Sequence, residues 1–159
     1  MLFKLLAVIG ALFAADAATT WYGLTFAEKS ELNPLVPTDP VGVFGFKALA
    51  FVVTAGIVTL ALKPPPAAML RRRDVRVGLL TIALYVAGNS GVMALSNLGE
   101  ILFDRGLADL VRTASGGRID PRMAVNLIAL AALFAPCVAL AQRIVDRERG
   151  AVAARRATA

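Results

Sequence analysis

The chain has 159 residues, 58% of them hydrophobic, a formal net charge of +6 and no histidine, with a mean hydropathy of +0.70. A soluble domain of this length cannot hold so much apolar surface in water without aggregating, so the composition points to a bilayer. The lack of histidine excludes His-based zinc or haem ligation and His-dependent triads, and the single cysteine, Cys137, excludes a disulfide within one chain.

Four apolar stretches reach the roughly 20 residues a helix needs to cross a hydrocarbon core. They run from Leu2 to Phe26, Val41 to Leu62, Val77 to Leu98 and Met123 to Gln142. The expected fold is therefore all-α, a polytopic membrane protein. Residues 1–142 form a four-helix transmembrane bundle with a short amphipathic helix in the second outer loop, and residues 143–159 form a basic cytoplasmic tail.

Lys4, the apolar run after it and the small residues around Ala15 and Ala17 resemble a cleavable secretory signal. Apolar character continues through Trp21, Leu24 and Phe26, which argues for an uncleaved span instead. Within that span stands a carboxylate, Asp16. An ionisable group near a bilayer centre costs at least about 2.5 kcal/mol, so it faces protein or a wet cavity and has a partner. Asp16, Thr19, Thr20 and Gly23 recur at i, i+3, i+4 and i+7, which places them on one narrow polar face. Gly10, Ala14 and Ala18 repeat every four residues, with Ala7, Ala11 and Ala15 beside them. Small residues at that spacing predict close helix approach and a central place for the first helix. Trp21 and Tyr22 mark the outer headgroup level.

The first outer connection carries Glu31-x-Asn33-Pro34, and Asp39-Pro40 then opens the second span as an N-cap acid followed by an N1 proline. Lys47 lies about 10 Å below Pro40, and Asp16 about 15 Å below Phe26, by helical rise. A lysine stem is long enough to close that difference, so the two charges are expected to pair.

Pro64, Pro65 and Pro66 predict a stiff spacer ahead of Arg71, Arg72 and Arg73, which read as contacts for lipid headgroups or a partner. The third span offers Asn89, Met93, Ser96, Asn97 and Glu100 on nearly one stripe. Beyond it Phe103, Leu107, Leu110 and Val111 recur at helical spacing, which predicts the amphipathic loop helix. Asp120-Pro121 opens the fourth span, which adds Asn126 near its start and an internal Pro136.

Lys4 precedes the first span, five basic residues from Lys63 to Arg76 separate the second from the third, and five arginines follow the fourth. The positive-inside rule places both termini in the cytoplasm, across the inner membrane of a prokaryote. No soluble fold presents these arginines to nucleic acid, so no nucleic-acid partner is expected.

The ordered set Asp16, Thr19 or Thr20, Glu31-x-Asn33-Pro34 and Lys47 resembles a widespread family of small bacterial and archaeal membrane proteins with a domain of unknown function. That signature places Asp and Thr in one helix, Glu-x-Asn-Pro in the turn and Lys in the next helix. The resemblance covers roughly residues 5–62 and implies weight for these residues without implying a chemistry.

The candidate cluster is thus Asp16, Thr19, Thr20, Glu31, Asn33, Lys47, Asn89, Asn97 and Asn126. Neither a nucleophile nor a metal set accompanies Glu31 or Glu100, so no enzyme and no cofactor is expected. Two functions compete. One is an accessory or structural subunit of a larger membrane complex. The other is a small oligomeric transporter or lipid-linked carrier flippase with Asp16 as coupling carboxylate.

Overall fold

The computed structural model describes residues 1–26, 39–65 and 67–157. Its helices are α1 (Leu2–Phe26), α2 (Pro40–Leu62), α3 (Ala68–Arg71), α4 (Arg73–Phe103), α5 (Leu107–Ser115) and α6 (Pro121–Ala157). Among the described residues, α1, α2, α4 and α6 are long and apolar enough to cross a membrane. The chain is an all-α, multi-pass membrane protein built as a four-helix bundle. Its two ends are named here for the short helices they carry, the α3 end and the α5 end.

Helix starts follow local chemistry. The Asp39 carboxylate accepts from the Gly42 backbone N–H at 2.7 Å, and Pro40 takes the first helical position of α2. A proline there gives up only an N–H that no helix would use. Asp104, in the left-handed conformation at φ 52°, closes α4, its N–H donating to the Glu100 carbonyl at 3.1 Å. An aspartate is among the few L-residues that take this conformation readily. Phe103 is therefore the last residue of α4 and not part of the loop helix, which begins at Leu107. Gly116, at φ +59°, closes α5 in the same way.

Two helices overrun the apolar stretches read from the sequence. With 31 and 37 residues, α4 and α6 measure about 46 and 55 Å, against a hydrocarbon core of about 30 Å. At the α3 end both continue as polar helix. The basic segment from residue 143 is thus the same helix as the fourth span, and Pro136 lies inside that helix without ending it.

The hub is α4, not α1. It packs against α1, α2 and α6, and α6 meets the rest of the bundle chiefly through it. Gly91 lets α1 come close, since a Cβ there would stand 3.0 Å from the Leu12 side chain. α1 buries Ile9, Phe13, Asp16, Ala17, Thr20 and Gly23. The repeats Ala7, Ala11, Ala15 and Ala14, Ala18 are instead exposed, turned away from the bundle. The apolar core fills the half nearer the α3 end, where Ile9, Phe13, Val58, Leu80, Leu84, Cys137 and Val145 meet. Polar side chains gather toward the α5 end.

Candidate functional site

The polar face of α1 and the lysine of α2 do meet. Lys47 Nζ donates to Asp16 Oδ2 at 2.5 Å. Asp16 is 1% exposed and the Lys47 side chain 12%. The second carboxylate oxygen, Oδ1, accepts from Thr20 Oγ1 at 3.4 Å. Both oxygens of this buried side chain are thereby engaged, so neither is left without a hydrogen-bond partner away from water.

α4 completes the group. Asn97 Nδ2 donates to Thr20 Oγ1 at 3.0 Å and to Thr19 Oγ1 at 3.4 Å. Thr19 Oγ1 also donates back to the Ala15 carbonyl at 2.9 Å, a local bond open to a threonine within a helix. One chain of contacts, Lys47–Asp16–Thr20–Asn97, therefore ties α2 to α1 and α1 to α4. Each member fits only one rotation of its helix, so the chain fixes the register of three spans at once.

Asn89 and Asn126 are not among the side chains that these hydrogen bonds join. Asn89 lies eight residues before Asn97 on α4, about 12 Å farther toward the α3 end by helical rise. Its Oδ1 is enclosed without a hydrogen-bond partner among the described residues. Asn126 is exposed on α6, the helix farthest from the pair in packing order. Glu31 and Asn33 lie outside the described residues.

The arginines at the α3 end divide in role. Arg72 binds Asp74 through Nη2 at 2.9 Å, and Arg73 forms a two-pronged bridge to Asp146 on α6, with both bonds at 2.8 Å. Both already have carboxylate partners, whereas Arg71 is exposed in the last turn of α3. Arg76, counted in the sequence only among the charges that set orientation, is a buried contact. It is 7% exposed, and its Nε donates to the Ala61 carbonyl at 2.5 Å. That carbonyl is among the last four of α2, which have no partner within their own helix. The only signal in the sequence was position: Arg76 immediately precedes an apolar run that must lie beside the end of α2.

Ser96, next to Asn97, faces another way and accepts from the Leu107 N–H of α5 at 3.0 Å. Asp109 Oδ2 accepts from Gly106 N–H at 3.2 Å. Together they satisfy two free donors at the start of α5. No protein family, no characterised protein and no solved structure matches this chain. The class of protein therefore rests on its own helices and contacts.

Proposed function

We propose that this protein is an accessory or structural subunit of a larger membrane complex, in the inner membrane of a prokaryote with both termini cytoplasmic. The observation that carries this reading is the enclosure of Asp16. Its two oxygens are met by Lys47 and Thr20, and 1% of it is exposed. A carboxylate so satisfied acts as a lock between helices, and buried polar groups of this kind serve specificity of arrangement.

Two further features support a docking role. The exposed alanines of α1 leave a shallow surface along a spanning helix, and small residues in lipid let a second helix approach closely. The basic residues gathered at the α3 end support the orientation by the positive-inside rule.

Purification from native membranes in mild detergent, followed by mass spectrometry, tests the reading. A defined complex with other membrane proteins is the expected result. The competing role as a proton-coupled transporter or flippase predicts proton movement into proteoliposomes, followed with a pH-sensitive dye, that Asp16→Asn abolishes. That result, with the protein recovered alone from its membrane, would replace the accessory reading.

A further inference from the structure

A groove of about 300 Å³ runs between α4 and α5, lined by Val92, Leu95 and Gly99 on one side and Leu107 and Leu110 on the other. Ser96 also lines it, but its oxygen is already used by Leu107 N–H. Arg105 borders the groove at the α5 end and is exposed.

Position decides what fits. Val92 lies about 16 Å before the end of α4 by helical rise, close to the depth of half a hydrocarbon core. At Arg105 the chain has turned back along α4, its N–H donating to the Gly99 carbonyl at 3.4 Å, and its exposed side chain is long enough to carry the guanidinium toward headgroup height. Val92, Leu95 and Gly99 follow one another along the helix axis, so the groove runs in the direction acyl chains take. Its rim is apolar and open: Leu95 is 71% exposed and Leu110 56%. Water has no hydrogen-bond partners there, and a hydrocarbon chain regains the dispersion contacts an open groove lacks.

We propose that this groove holds one phospholipid of the leaflet on the α5 side, with an acyl chain between α4 and α5 and its phosphate against Arg105. A guanidinium matches a phosphodiester in charge and geometry. The site does not depend on the role assigned to Asp16.

The chain has one tryptophan, Trp21, so a Trp21→Phe background accepts a reporter elsewhere. Leu102→Trp places it on α4 within one turn of Gly99, which lines the groove, and Leu49→Trp on α2, also exposed, serves as the remote control. Quenching is read in vesicles doped with phospholipid, or with diacylglycerol lacking phosphate, each carrying brominated chains. At Leu102→Trp the phospholipid should quench at about threefold lower mole fraction, the scale of one exposed ion contact. No preference is expected at Leu49→Trp. Arg105→Ala should abolish the preference, as should Val92→Phe, which fills the groove and leaves the arginine in place. Equal quenching at both reporters, or a preference unchanged in both variants, would overturn the proposal. So would a disulfide-linked dimer of Leu95→Cys without lipid preference, which assigns the groove to a second copy.

Discussion

Ser96 and Asn97 are consecutive residues of α4 that hold different parts of the molecule. Asn97 Nδ2 donates to Thr20 Oγ1 on α1 at 3.0 Å, and Ser96 Oγ accepts from Leu107 N–H on α5 at 3.0 Å. One turn of α4 thus sits between the buried charge pair and the surface helix.

Ser96→Ala removes an acceptor at the start of α5. Loss of such a cap costs about 1 kcal/mol. Amide exchange should speed at Leu107 and its neighbours while α1 and α2 keep their protection. Exchange that rises uniformly through the bundle would contradict this assignment.

Arg76→Met should loosen the last turn of α2 by freeing the Ala61 carbonyl. A hydrogen bond to a charged donor is worth about 1.5–3 kcal/mol. Thermal unfolding in detergent should fall accordingly, with Arg76→Lys intermediate because a lysine reaches the carbonyl without the planar fork. Equal stability of Arg76→Met and the parent would show the contact to be idle.

The Arg73–Asp146 bridge is exposed on both sides, with relative exposures of 45% and 51%. Salt screens exposed pairs. Asp146→Asn should therefore lower the unfolding temperature slightly in dilute buffer and leave it unchanged at high salt. Exchanging the two charges, Arg73→Asp with Asp146→Arg, should restore the dilute-buffer value. A deficit that persists at high salt would mean the carboxylate does something other than pair with Arg73.

The spans were legible because apolar runs of this length have few alternatives, and depth arithmetic brought Asp16 and Lys47 within reach of each other. Asn97 was legible as a polar residue inside a span, but Asn89 was grouped with it although eight residues set the two about 12 Å apart along α4. The alanine repeats of α1 were read as internal packing. Spacing marks a surface suited to close contact without naming which neighbour takes it, and here the buried face of α1 is the one carrying Phe13, Asp16 and Thr20. The end of α4 escaped notice because its left-handed residue is Asp104, not a glycine. Arg76 was counted among charges that set orientation, since nothing local distinguishes a solvated arginine from one that caps a neighbouring helix.

The central claim is that Asp16 and Lys47 act on each other as a lock between α1 and α2, and a double-mutant cycle tests it most directly. Unfolding of Asp16→Asn, Lys47→Met and the double variant is measured in one detergent. Each single change strands a buried partner and should destabilise by on the order of 3 kcal/mol. The double variant should be milder than the sum of the two by about 1 kcal/mol or more. Strictly additive losses would contradict the account, because the two charges would then be serving separate partners.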